Sequence, residues 1–334
     1  EIRLSLVGSE MCIRDSCNCS YIYDEVQVYT LQKGKELLRK SEKVILIAHA
    51  PNIKNHLFFI LKTWKYLDRL ILFFHGHEVL STKKYYPRPY DFNKAAKREY
   101  RFLRLYDQIK LPVMRYYLKK FVASGKCDLV FVSDCMYEAA IRSLKLKHEF
   151  FTAPSHITNN SISPYIKEAG YVLNDFKADF ITIRPLDQSK YAIDLVVNFA
   201  KCHPESTFHI YGGGNYFNYT DIPANVTLIN RFLSPIEIPR VLNSYKYALM
   251  PTRLDAQGVM MCEMAVYGIP TIVSDIAVCH EMLDSYPNVL FIDNNRFDCR
   301  LNDIPEPLVS PDFSFSVENT IHKEICLLYT SPSP

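Results

Sequence analysis

Pro251-Thr252-Arg253-Leu254-Asp255-Ala256-Gln257-Gly258-Val259-Met260-Met261-Cys262-Glu263-Met264-Ala265-Val266-Tyr267-Gly268-Ile269-Pro270 reads as a strand end, a loop, a short helix and a glycine stop. The apolar run Tyr247-Ala248-Leu249-Met250 leads into it and Thr271-Ile272-Val273-Ser274 follows it. A buried strand, a helix and a second buried strand in so few residues form one unit of a parallel α/β sheet. Gly258 permits close approach of a ligand at the helix start, where free N–H groups favour an anion or a sugar hydroxyl. Gly268 suits the left-handed position that ends such a helix.

Working outward, the same alternation recurs in two series. Lys43–Ala48, Arg69–Phe74 and Asp128–Val132 form the first; Asp179–Ile183, Thr207–Tyr211, Val226–Ile229, Tyr247–Met250 and Thr271–Ser274 form the second. A long helix is expected around Lys94–Ser124, broken or kinked at Pro112. A polar loop is expected over Ala153–Ser163 and a helix near Pro164–Asn174. At 334 residues, two domains of ordinary size are the natural division. The expected boundaries are 17–150 and 179–325, joined by a linker over 151–178.

Both ends are set aside. Glu1–Ser16 (EIRLSLVGSEMCIRDS) and Cys326–Pro334 (CLLYTSPSP) resemble translated sequencing-adapter read-through of the kind found in metagenomic assemblies. On that expectation the first strand and the closing helix of the natural fold are truncated.

Composition narrows the class. Apolar runs such as Val44–Ala48 and Leu57–Leu61 are far shorter than the ~20 residues of a membrane-crossing helix. The ten cysteines show neither CxxC pairing nor an adjoining histidine cluster, so no metal site is expected and the thiols read as reduced and cytoplasmic. The net charge of +3 hides a division. Residues 17–150 carry 25 Lys and Arg against 13 Asp and Glu, a net of +12; residues 151–334 carry 12 against 20, a net of −8. A basic first half suits an anionic partner such as a lipid surface, although lysines kept for solubility give the same count. The cations are scattered over helices without any stacking or groove-reading motif, and nucleic acid is not expected.

Asp255 and Glu263 place one carboxylate on the loop and one on the second turn of the helix. Such a pair can bind ribose and hexose hydroxyls or balance charge at an anomeric carbon. It can equally be an acid favoured by the helix dipole and a glutamate on a wet face. Gly212-Gly213-Gly214, after the strand ending at Tyr211, fits any tight turn. His75, in Phe73-Phe74-His75-Gly76-His77-Glu78, follows a strand at the edge where open α/β sheets bind ligands.

Together these stretches resemble the signature of the retaining glycosyltransferases of the GT-B fold, family 4. In that signature two acidic residues flank seven others and lead an E-A-x-x-x-G-x-P run, matched here by Glu263–Pro270 with Asp255 replacing the usual Glu. The resemblance implies two Rossmann-like domains facing each other across a cleft. It implies that Glu263 holds the donor ribose, while Asp255 and the backbone of Gln257, Gly258 and Val259 hold the transferred sugar. Ile183-Arg184-Pro185-Leu186-Asp187-Gln188-Ser189-Lys190 looks like the family's Arg and Lys clamp on the donor diphosphate, one residue longer than its usual spacing. Gly212 and Gly213 look like the glycine-rich turn beside the nucleotide, Asn225–Phe232 like the strand and loop that cover the base, and His75 like the family's cleft histidine that contacts the donor sugar or the reacting centre.

The implied reaction moves a hexose from a nucleoside diphosphate sugar to a hydroxyl acceptor, in cell-surface polysaccharide or glycolipid synthesis. Two fixed cations stand in for a metal, and the donor is a substrate, so no cofactor is expected. The implied partners are the nucleotide-sugar donor and a glycan or lipid-linked acceptor; separately, the basic charge of the N-terminal domain suits peripheral contact at the inner face of the membrane. A sugar-nucleotide epimerase or phosphorylase on the same fold, and a non-catalytic nucleotide-sugar-binding partner protein, remain open.

Overall fold

Runs of Ile, Leu, Val and Phe bounded by polar residues become parallel strands buried on both faces, because crossover helices cover them. The computed structural model of the chain describes residues 21–23, 26–152, 154–296 and 301–329. The expected read-through segment Glu1–Ser16 lies outside these residues, as does 330–334; the final helix runs through Cys326 to Tyr329. The described residues fall into two compact units. The first holds those up to Lys84 and Arg104–Ile157, the second Tyr85–Leu103 and those from Thr158 on.

In the first unit, β1 (Tyr21–Tyr23) and β2 (Val26–Val28) form an antiparallel pair. Then come α1 (Leu31–Lys40), β3 (Ile45–His49), α2 (Phe58–Thr63), β4 (Arg69–Phe74) and α3 (Thr82–Tyr85). The series continues through α4 (Lys94–Ala123), whose residues up to Leu103 belong to the second unit, and then β5 (Cys127–Phe131), α5 (Asp134–Leu144), α6 (His148–Phe151) and β6 (Ser155–Ile157). The sheet order is β3-β4-β5-β6, all parallel. Thr30 caps α1 and Ser133 caps α5, each hydroxyl accepting from an amide three residues on.

The second unit comprises β7 (Ala178–Ile183), α7 (Ile193–Cys202), β8 (Phe208–Tyr211), β9 (Val226–Ile229), α8 (Ile238–Leu242) and β10 (Tyr245–Met250). It ends with α9 (Val259–Tyr267), β11 (Thr271–Ser274), α10 (Ala277–Leu283), β12 (Val289–Ile292) and α11 (Val317–Tyr329). Its parallel sheet runs β12-β11-β10-β7-β8-β9. The chain moves outward from β7 on one side and restarts at β10 on the other. That reversal falls between β7 and β10, and doubly wound sheets bind ligands outside the carboxyl ends of their strands at such a point. The core beneath it is aromatic: Phe180 and Phe208 stack at 4.6 Å and Phe199 meets Phe180 edge-on at 5.5 Å. Truncating a fully buried Phe such as Phe180 to Ala costs about 3–5 kcal/mol.

Three expectations are corrected. Helix α4 is not broken at Pro112 but runs on as helix to Ala123. The carbonyl that loses its donor belongs to Gln108, an exposed residue, so water can replace the missing bond. The expected loop over Ala153–Ser163 contains β6, held to β5 by parallel pairing. Pro164–Asn174 is not a helix. Its amides are drawn into tertiary bonds, from Ala169 to the Val266 carbonyl (2.8 Å), Tyr171 to that of Tyr267 (2.9 Å) and Asn174 to that of Asn243 (2.7 Å). Among the described residues no helix is long and apolar enough to cross a membrane.

Candidate functional site

Arg184 is the first residue after β7, beside the chain reversal. Its side chain is buried, with Nη1 donating to the carbonyls of Tyr191 (2.8 Å) and Pro251, the residue that follows β10. Nε has no hydrogen-bond partner among the described residues, and no carboxylate among them pairs with the guanidinium. Burial lowers its pKa to about 10, opposed by the nearby Asp255 charge, so it stays a cation at neutral pH. A buried cation given carbonyl dipoles but no counter-ion is a site that an anion can complete. Lys190 sits six residues on, in a single 3₁₀ turn, its ammonium 4.6 Å from the Tyr191 ring centre. It too lacks an ion pair among the described residues.

The loop between them is fixed. Asp187 accepts the Asn215 amide at 2.6 Å, and the Lys190 carbonyl accepts the Arg253 amide (2.8 Å) and the Thr252 hydroxyl (3.0 Å). Arg253 forms a fork to Asp194 at 2.8 and 2.6 Å, and the Tyr90 hydroxyl donates to the same carboxylate at 2.7 Å. Burial, reinforced by Asp194, pushes the Tyr90 phenol up and keeps it a donor. The Arg253–Asp194–Tyr90 brace was not legible in the sequence, although Arg253 lies within the quoted stretch.

Gly212 and Gly214 have φ of 150° and 145°. A Cβ at Gly212 would lie 1.9 Å from the Arg184 carbonyl oxygen, and one at Gly214 2.8 Å from Asp187 Oδ2. Both glycines let the turn press against the Arg184–Lys190 loop. Gly213 has no such constraint; its nearest neighbour is the Phe232 ring at 3.2 Å.

Helix α9 starts at Gly258, in the left-handed region with φ 76°, and ends at Gly268 with φ 103°. Asp255 Oδ1 accepts the amides of Ala256 (2.8 Å), Gln257 (3.3 Å) and Gly258 (2.8 Å). Two of the three backbone groups assigned to the transferred sugar, those of Gln257 and Gly258, therefore point at the Asp255 carboxylate; Val259 follows them as the first residue of the helix. The Gln257 side chain is buried and pairs with the Asn160 backbone through both ends of its amide, at 2.6 and 2.9 Å. Glu263 is buried, accepts the Ser163 amide at 2.9 Å, and burial raises its pKa. Burial, reinforced by the charges of Asp255, Cys279 and Glu263, pushes the Cys262 thiol far up.

His75 belongs to the first unit, just past β4. Its Nε2 lies 3.4 Å from Nδ1 of His49, the last residue of the adjacent strand β3. Burial lowers both imidazoles, His49 to about 4. Glu78, with its side chain fully enclosed, accepts the Gly76 amide at 2.7 Å. His49 carried no motif and was not singled out from the sequence. Among the described residues no group of His, Cys, Asp and Glu could hold a metal ion.

The two parallel sheets with their crossover helices define an α/β protein of the GT-B type, and solved structures share that fold. Sucrose-phosphate synthase from Thermosynechococcus elongatus is 11% identical with TM-score 0.58, covering 80% of this chain and 65% of its own. A glycosyltransferase from Rickettsia africae is 11% identical with TM-score 0.57, covering 89% and 79%. Staphylococcus aureus TarM in complex with fondaparinux, alpha-GlcNAc-glycerol and UDP is 14% identical with TM-score 0.54, covering 90% and 58%. Several of the similar proteins are longer: this chain spans 50 to 65% of TarM, the GtfA/B complex and sucrose-phosphate synthase. No protein-family model matches the sequence, and comparison with curated proteins finds no similar sequence.

Proposed function

We propose that this protein is a retaining, metal-independent glycosyltransferase that moves a hexose from a nucleoside diphosphate sugar to a hydroxyl of a glycan or lipid-linked acceptor, in cell-surface polysaccharide or glycolipid synthesis. The observation that carries the reading is Arg184, a buried cation with no ion-pair partner among the described residues, placed where the strand order reverses and followed by Lys190, which likewise has no ion pair among them. A diphosphate supplies the anion that this arrangement lacks. The shared fold supports the same reading, since one similar structure is TarM with UDP and another is Anabaena HepE with UDP and glucose.

On this reading Arg184 and Lys190 hold the diphosphate and neutralise the charge it gains as the anomeric C–O bond breaks. The acceptor oxygen bonds to the anomeric carbon on the same face, and its proton passes to the departing diphosphate oxygen. No protein nucleophile is required. Glu263, with one oxygen bound to the Ser163 amide, offers the other to the ribose. His75 keeps the role that the resemblance gives it, contact with the donor sugar or the reacting centre. Asp255 must exchange some of its amide bonds for sugar hydroxyls, or remain a cap; in the second case a protein that binds a nucleotide sugar without transferring it is the competing reading.

A thermal-shift screen of nucleoside diphosphates and their sugars tests the reading, because a true ligand raises the melting temperature by mass action. Failure of every nucleoside diphosphate to do so sinks it. Once a donor is found, Lys190→Ala should lower turnover by about 10²–10³-fold while leaving the melting temperature close to that of the parent. Binding with neither hydrolysis nor transfer selects the non-catalytic protein, and release of an epimerised sugar nucleotide selects an epimerase.

A further inference from the structure

Helix α4 carries two apolar faces. Met114, Leu118 and Phe121 point into the core, together with the paired Asp107 and Lys110, whose ions lie 2.8 Å apart. On the opposite side, Phe102, Leu105, Ile109 and Tyr116 are 65, 64, 65 and 52% exposed. At 100° per residue these four fall within about 60° of one another, and the buried set lies across the helix axis from them. A helix packed on a core needs one apolar stripe. This one keeps a second stripe in water.

The second stripe is bordered by cations. Arg98, Arg101, Arg104, Lys119 and Lys120 are exposed and Arg115 is half-buried. From Arg101 to Ala123 the one acid is Asp107, which is buried against Lys110. The Lys120 ammonium lies 4.7 Å from the Tyr116 ring centre, so apolar and cationic groups share one surface. We infer that this face of α4 docks on an anionic lipid bilayer, its apolar residues entering the headgroup boundary and its arginines and lysines meeting lipid phosphates.

The chemistry selects this occupant. A second copy of the helix would bring two cationic borders together with Glu99 as the one exposed acid on the helix, and like charges oppose that pairing. A nucleic acid would satisfy the cations but leave the aromatic and aliphatic stripe against a polar polyanion. A bilayer with anionic headgroups offers both an apolar layer and negative charge at the matching depths. The +12 balance of residues 17–150 extends the same attraction beyond the helix. The inference is independent of the proposed reaction.

Flotation of the full chain with phosphatidylcholine vesicles, and with vesicles of equal parts phosphatidylcholine and phosphatidylglycerol, reads the docking directly. The protein should float with the anionic vesicles, and high salt should release most of it. The triple variant Phe102→Ser/Leu105→Ser/Ile109→Ser and the charge variant Arg101→Gln/Arg104→Gln/Lys119→Gln should each bind at least about ten-fold more weakly. All six positions are exposed, and unchanged melting temperatures verify that both variants fold. Parent protein that stays in the soluble fraction with anionic vesicles overturns the inference. So does flotation that neither variant weakens, or a dimer of the parent that the triple variant dissociates.

Discussion

Gly212 shows how a glycine placed by a binding motif can be demanded by packing alone. Its Cβ would fall 1.9 Å from the Arg184 carbonyl oxygen, a backbone atom that cannot swing away, and its φ of 150° strains any L-residue. Gly213, one residue on, would place a methyl 3.2 Å from the exposed and movable Phe232 ring. Gly212→Ala should therefore cost upwards of about 2 kcal/mol, and Gly213→Ala no more than about 1 kcal/mol. Urea unfolding of the two variants decides it; equal losses would contradict the packing account. Gly213→Ala then becomes the cleaner probe of donor approach, since it changes the turn without disturbing Arg184. The sequence offered the three glycines as one feature, and only the neighbouring backbone separates their duties.

At the level of elements, strand ends bring the histidines together. Parallel pairing sets His49 beside Phe73, and the two rings stack at 4.5 Å. His75, two residues further, then meets His49 at 3.4 Å. Around the pair stand His56 from the turn after β3, and His77 and Glu78 from the loop after β4; Glu78 favours the charged form of His75 and His56, while burial opposes it. Burial dominates at His49, His75 and His56, so the unfolded chain binds protons there more readily than the folded one. Stability should be full above the ordinary histidine pKa of about 6.5 and fall as pH drops from there toward about 4. The loss is on the order of 1–3 kcal/mol, allowing for water near these part-exposed rings. Urea unfolding near pH 7 and near pH 5 measures it, and His49→Gln should flatten the slope; an identical slope in that variant would assign the acid sensitivity elsewhere. Strands such as β4 and β9 were legible because an apolar run bounded by polar residues has one economical fate. Residues 164–174 were misread because their backbone partners, Val266, Tyr267 and Asn243, lie far along the chain and outcompete local helix bonds.

Over the whole second unit, the sheet has a chemical polarity. At the amino edge, Asp179 binds the Thr207 amide and hydroxyl at 3.0 and 2.9 Å and Lys246 at 2.8 Å, a closed arrangement with its charges paired. At the carboxyl edge, Arg184 and Lys190 have no counter-ion among the described residues. The motif residues at that edge could be found by spacing. The brace behind them could not, because Asp194 lies 59 residues from Arg253 and 104 from Tyr90. A nucleoside diphosphate that completes the carboxyl edge should slow amide hydrogen exchange over 184–191, 212–214 and 252–263, where loops now rely on each other. It should leave the amides near Asp179, Thr207 and Lys246 unchanged, since their bonds are already closed and lie at the far end of the same strands. Exchange measured with and without the ligand identified by thermal shift reads both edges in one experiment. Protection at the amino edge, or spread evenly over the sheet, would mean that the buried arginine is not where the anion binds.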